Sequence, residues 1–95
     1  MRLWDIKIKP FRPSIEVKVG TNFATTCDIS TSENRAQNIV TGHRGFNNEG
    51  SEIKLWDLRN FNNDSIPLFN YKHHKFSPEA VRFINKDIII SASKD

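Results

Sequence analysis

One six-residue pattern occurs twice in this chain and constrains its fold more than any other feature. Residues 2–7 and 54–59 each read basic, Leu, Trp, Asp, aliphatic, basic. Tryptophan occurs only in these two copies, as Trp4 and Trp56. The copies lie about 50 residues apart, which is in the range of repeat-protein periods. The pattern therefore predicts a chain built from repeated supersecondary units.

Apolar residues elsewhere recur with a period of two. Residues 15–19 alternate between aliphatic and charged side chains, and Val81 and Phe83 flank Arg82. This alternation is typical of half-buried strands, and no long segment has the apolar spacing of a helix. Four prolines also punctuate the chain too often for long helices. We predict an all-β chain with short strands near 2–7, 15–19, 23–30, 38–43, 52–58, 67–72, 79–84 and 88–93.

Length and composition exclude several classes of protein. With 95 residues, of which 37% are hydrophobic, the chain is at most one small domain. No apolar run approaches the roughly 18 residues of a membrane helix, and no N-terminal signal is present. A single cysteine, Cys27, cannot form an internal disulfide framework. We expect an intracellular, cytoplasmic protein without a membrane partner, with the nucleus and the cilium as open alternatives.

The chain resembles the WD40-repeat (Trp-Asp repeat) family of β-propellers. The resemblance rests on the two Trp-Asp pairs, on His74 and on the ending 91–95, Ser-Ala-Ser-Lys-Asp. In that family each blade has four antiparallel strands. A histidine precedes the first strand, small residues and an Asp end the second, and Trp-Asp ends the third. Val81 and Phe83 follow His74 at the family's offsets.

The resemblance implies a division of the chain into blades. Residues 1–20 correspond to the end of one blade, 21–72 to a complete blade and 73–95 to the start of the next. Propellers have about four to eight blades, because each blade buries its faces against its neighbours. We therefore expect a fragment of a longer propeller. The alternative is a small protein that associates with copies of itself.

The same resemblance implies a set of structural residues, called here the brace. In the family an Asp, a His, a Ser or Thr hydroxyl and the Trp indole N–H form a hydrogen-bonded chain of buried polar groups. This assigns His74, Ser93 and Asp95 to one brace, whose Trp would follow Asp95. Trp4 and Trp56 belong to the two preceding blades.

The complete blade departs from this pattern. Gly20, His43 and Gly45 occupy its positions for the His, the hydroxyl and the Asp. Its Trp must therefore be held in another way, and Thr41 and His43 are the candidates.

The functional expectation is a non-catalytic scaffold that binds other proteins or peptides. The long segment 44–51 offers Arg44 and Phe46 as partner contacts, and the alternative is an insertion whose Phe46 packs on its own blade. This segment, Gly-Phe-x-x-Glu-Gly-x-Glu, is also similar to one in a cilia-linked WD-repeat family. No motif for catalysis, a cofactor or a metal is present.

Two alternatives remain open for the function. Residues 56–59, Trp-Asp-Leu-Arg, resemble the box through which some WD40 proteins dock onto a cullin ubiquitin-ligase adaptor, with Arg59 as the contact. Arg59 could also serve only as a solvated residue. A nucleic-acid-binding role is the other alternative, but the net charge of +3 is modest and acidic residues interrupt the basic clusters.

Overall fold

The structure, a computed structural model, describes residues 1–4, 13–17, 23–32, 35–45, 51–62, 65–85 and 87–94. These residues form eight strands and one short 3-10 helix, Leu58–Asn60, which confirms the prediction of an all-β chain. The strands are β1 Arg2–Trp4, β2 Pro13–Glu16, β3 Ala24–Ser32, β4 Arg35–His43, β5 Glu52–Asp57, β6 Phe69–Tyr71, β7 Pro78–Asn85 and β8 Ile88–Ser93. Of the predicted site residues, Phe46, Asp95 and the side chain of Trp4 lie outside the described part.

The eight strands form three antiparallel sheets. Strands β3, β4, β5 and β6 form a four-stranded central sheet in sequence order, whereas β1–β2 and β7–β8 are separate pairs. Among the described residues, no helix has the length and apolar character needed to cross a membrane.

The central sheet is covered on its first face by residues near β1 and β2. Ile39 of β4 lies opposite Trp56 of β5, and both pack against Val17 and Phe61. The ring of Phe61 meets the Trp56 ring edge-on, with centroids 5.3 Å apart. Because successive strand residues point to opposite faces, these apolar residues alternate with a second set.

The second face of the central sheet packs against the pair β7–β8. Val40 and Ile53 form a buried cluster with Val81, and Phe83 and Ile89 pack against it. The four-stranded sheet is therefore the middle of three layers.

Side chains of β3 also bind the backbone of β7. The N–H groups of Val81 and Phe83 donate to Thr26 Oγ1 at 3.4 Å and to Asp28 Oδ2 at 2.7 Å. The Thr25 hydroxyl donates to the Pro78 carbonyl at 2.8 Å. These bonds supply partners for backbone groups at the edge of β7 that faces away from β8. Side chains of β3 therefore take the place of a neighbouring strand at this edge.

Gly42 allows the closest approach between the central sheet and β7. A Cβ atom at this position would lie 2.7 Å from Thr26 Cγ2 and 2.9 Å from Pro78 Cγ. Both distances are shorter than normal carbon contacts, and the proline ring has little freedom to move. A side chain at position 42 would therefore separate the two layers.

We expect Gly42→Ala to destabilise the chain by about 1–3 kcal/mol, the usual cost of overpacking. Urea denaturation followed by circular dichroism measures this loss. Thr26→Ser is the matched partner variant, because it removes the contacting methyl group and keeps the hydroxyl that binds β7. Adding it should recover part of the loss caused by Gly42→Ala, and a fully additive double variant would contradict this explanation.

Candidate functional site

The best-defined polar group in the structure surrounds Trp56. The indole Nε1–H donates to Thr41 Oγ1 at 2.9 Å, and Thr41 Oγ1 lies 2.8 Å from His43 Nε2. Thr41 and His43 are two residues apart in β4, so they share the first face of the sheet with Trp56. All three residues are buried. Of the two candidates that the sequence offered for holding Trp56, Thr41 contacts the indole directly, and His43 contacts the hydroxyl of Thr41.

The backbone of Trp56 is held as well. Asn38 Nδ2 donates to the Trp56 carbonyl at 3.1 Å. A hydroxyl that accepts from an indole retains a donor for an imidazole nitrogen, so Trp56, Thr41 and His43 can form one connected network. This network fixes the position of a large aromatic side chain, which is a structural role.

The second predicted brace differs from its expected pairing. His74 Nε2 lies 2.9 Å from the hydroxyl of Ser91, two residues before the predicted partner Ser93. The Ser93 hydroxyl instead donates to the Phe76 carbonyl at 3.1 Å. Ser91 and Ser93 point to the same face because of the strand period, and the pattern alone could not separate them. The position of Asp95 lies outside the described residues.

This shift of two residues also occurs at the Trp56 site. There the family's hydroxyl position falls on His43, and the hydroxyl that binds Trp56 belongs to Thr41, one of the two candidates, again two residues earlier in the strand. Thr41 in β4 and Ser91 in β8 are therefore equivalent positions, each the second strand of its sheet.

The carboxylate of Asp57 binds Arg59 on the exposed end of β5. Arg59 Nε and Nη2 donate to the two oxygens of Asp57 at 3.0 and 2.9 Å, and Arg59 N also donates to Asp57 Oδ1 at 3.0 Å. The Arg59 side chain is 75% exposed. These hydrogen bonds lower the pKa of the Asp57 carboxyl and raise that of the Arg59 guanidinium. Arg59 is therefore accessible to solvent and paired with Asp57.

Arg44 lies where the chain leaves β4, and it is exposed. Its N–H donates to the carbonyl of Phe23 at 2.8 Å, and the Phe23 side chain is itself exposed. Phe46, the other predicted contact, lies outside the described residues.

The sequence did not reveal a cleft between the central sheet and β8. Its volume is about 300 Å³, and its lining residues are Ile53, Tyr71, His73, His74, Ile89 and Ser91. The cleft forms because the segment after β6 crosses to the next sheet beside the His74–Ser91 pair. Of these residues, only His74 and Ser91 belong to the sequence patterns described above.

A second unpredicted group is centred on Glu52. Its carboxylate lies 3.3 Å from Lys54 Nζ and 3.4 Å from Lys72 Nζ. Burial raises the pKa of the Glu52 carboxyl, but the hydrogen bonds to Lys54, Asn70 and Lys72 and the charge of Lys54 outweigh it, so that the pKa lies below its ordinary value. Alternation places Glu52 and Lys54 on the face of the sheet that carries Trp56.

No family model, curated protein or solved structure matches this chain. Within the described part of the chain, no three His, Cys, Asp or Glu residues are placed to hold a metal ion. The site is therefore interpreted from its own geometry.

We expect Thr41→Val to destabilise the chain by about 1–3 kcal/mol, because it leaves the buried indole N–H of Trp56 without an acceptor. Thr41→Ser keeps the hydroxyl and should cost less. The measurement is urea denaturation, extended to a double-variant cycle with Trp56→Phe, which removes the N–H. If the hydrogen bond matters, the double variant loses less stability than the sum of the single variants. Additive losses would contradict this.

Proposed function

We propose that the chain is part of a WD40 β-propeller and acts as a non-catalytic scaffold for protein–protein interaction. The observation that supports this best is the central sheet. It has four antiparallel strands in sequence order, and its third strand ends in a Trp-Asp pair whose indole binds a hydroxyl of the second strand. The proposal combines this geometry with the repeated hexamer of the sequence.

The layering of the sheets supports the same proposal. A blade in a propeller buries both faces against neighbouring blades. The central sheet has apolar clusters on both faces, around Trp56 on one side and around Val40 on the other. A sheet that must be covered on both faces is suited to a repeating array.

We propose Arg44 and Phe46 as the partner contact. Arg44 is exposed at the end of β4, and its backbone N–H is bonded to Phe23, whose side chain is also exposed. Arginine and phenylalanine are both enriched in protein interfaces relative to the rest of the surface. The ligand that this surface suits is a protein or a peptide with an acidic and an apolar residue.

We expect Arg44→Glu and Phe46→Ala each to weaken partner capture by at least about tenfold, which corresponds to about 1.4 kcal/mol. The measurement is quantitative affinity purification of the tagged native polypeptide from its source. Arg2→Glu is the matched control. Arg2 is also an exposed arginine, but it lies with its partner Glu16 in the β1–β2 sheet, away from Arg44. Equal capture by all variants would contradict the proposed contact.

A cullin-adaptor interaction is the second candidate, and the geometry of Arg59 favours it. The guanidinium is exposed and is held by two hydrogen bonds to Asp57, so it loses little side-chain freedom on binding. Arg59→Ala should abolish co-purification of the adaptor, whereas Arg2→Ala should not. If the unaltered chain captures no adaptor, this candidate is wrong.

A further inference from the structure

The strands β3–β8 bring several of their ends together at one end of the molecule. In the antiparallel central sheet, β3 and β5 begin where β4 and β6 end. Thr25, near the start of β3, donates to Pro78, the first residue of β7. Further along, Asp28 of β3 accepts from Phe83 of β7, so these two strands run in the same direction. Strand β7 therefore begins at this end, and its antiparallel partner β8 ends there.

The segments that connect strands at this end carry exposed cations and aromatic rings. Arg44 follows β4, and its N–H is bonded to Phe23, which precedes β3. Lys72 follows β6, and Lys75 and Phe76 lie just before β7. All five side chains are exposed. These five residues are called here the basic surface.

The basic surface lies at strand ends, and not on a face or an edge of a sheet. A further sheet stacked on β7–β8 would cover a face, and a further strand beside β8 would cover an edge. Both additions leave the connecting segments at the strand ends on the outside. The basic surface is therefore accessible in the same way if the polypeptide continues the array.

Cations outnumber acidic residues at this end. Glu52 and Glu79 are the acidic residues that the structure describes where the ends of β3–β8 meet, and each is already paired with a lysine. The Glu52 carboxylate is shared by two lysines, with Lys54 Nζ at 3.3 Å and Lys72 Nζ at 3.4 Å. Since the basic surface contributes further cations, this end carries an excess of positive charge.

We propose that the basic surface binds an acidic peptide segment of a partner protein. Neighbouring strands lie about 4.8 Å apart, so the ends of β4 and β6, with β5 between them, lie about 10 Å apart. An extended peptide advances about 3.3 Å per residue. Carboxylates three residues apart therefore match the spacing of Arg44 and Lys72. The rings of Phe23 and Phe76 offer apolar contacts to the residues between the carboxylates.

A peptide fits this surface better than a nucleic acid does. Duplex DNA carries one negative charge per about 1.7 Å of helix axis, which requires closely spaced cations. Here the carboxylates of Glu52 and Glu79 lie among the lysines and would repel a phosphate backbone. Separate carboxylates on a peptide can instead pair with individual cations, which gives specificity.

This inference rests on the proposed function and specifies the chemistry of the partner. It extends the contact at Arg44 across two strands to Lys72 and Lys75. It also requires spaced carboxylates, which the proposed contact at Arg44 and Phe46 alone does not.

Fluorescence anisotropy of the native polypeptide with a labelled synthetic peptide tests the charge recognition. The probe repeats Glu-Val-Thr, which places a carboxylate at every third residue, and its neutral counterpart repeats Gln-Val-Thr. We expect the acidic probe to bind at least about tenfold tighter at low salt. The difference should disappear near 1 M salt, where the screening length falls to about 3 Å. Equal affinity for both probes, or tighter binding of a labelled single-stranded oligonucleotide, would overturn the proposal.

Paired variants locate the binding on the basic surface. The double variant Lys72→Gln, Lys75→Gln should weaken binding of the acidic probe at least about fivefold. Arg59→Gln is the matched control, because it removes an exposed cation beyond the opposite end of β5 and should leave the affinity unchanged. Circular dichroism checks that each variant is folded, and equal losses in both would contradict the location.

Affinity purification separates this inference from the proposed function. Partner capture should fall in the double variant Lys72→Gln, Lys75→Gln and persist in Arg59→Gln. Capture that is unchanged in the double variant would overturn the inference alone. Absence of any captured protein with the unaltered polypeptide would contradict the proposed function as well.

Discussion

Strand β4 is buried on both faces, and the rest of the structure depends on this constraint. Ile39 is 2% exposed on one face and Val40 is fully buried on the other. A strand in this situation needs a layer of apolar residues on each side, and one sheet cannot supply both. Val17 and Phe61 supply the first layer, and Val81 supplies the second. The separation of the chain into three sheets follows from this requirement.

The three layers are joined by polar contacts as well as by apolar packing. Inside the central sheet, the buried hydroxyl of Thr41 accepts the indole N–H of Trp56, so a large aromatic ring is buried without losing its hydrogen bond. Between layers, the side chains of Thr26 and Asp28 accept hydrogen bonds from backbone N–H groups of β7. The contacts within the sheet hold its shape, and those between sheets hold the spacing that Gly42 permits.

The sequence predicted the strands well because their signal is local. A period of two and the turn residues between segments are enough to place eight strands, although the observed ends differ by a few residues. The partner of His74 in the brace was harder to predict. Ser91 and Ser93 lie on the same face of β8, and the sequence pattern cannot distinguish them. The contacts of Thr26 and Asp28 with β7 join residues about 55 positions apart and have no periodic signal. The cleft beside His74 depends on how two sheets pack, which no segment of the sequence encodes alone.

The two edges of the β7–β8 sheet differ in their hydrogen bonding. Side chains of β3 occupy the donors of β7, whereas the donors of Ile89 and Ser91 in β8 point to an edge without a strand among the described residues. Side-chain hydrogen bonds therefore limit the extension of this sheet to the side of β8, in the same strand direction that the central sheet follows from β3 to β6.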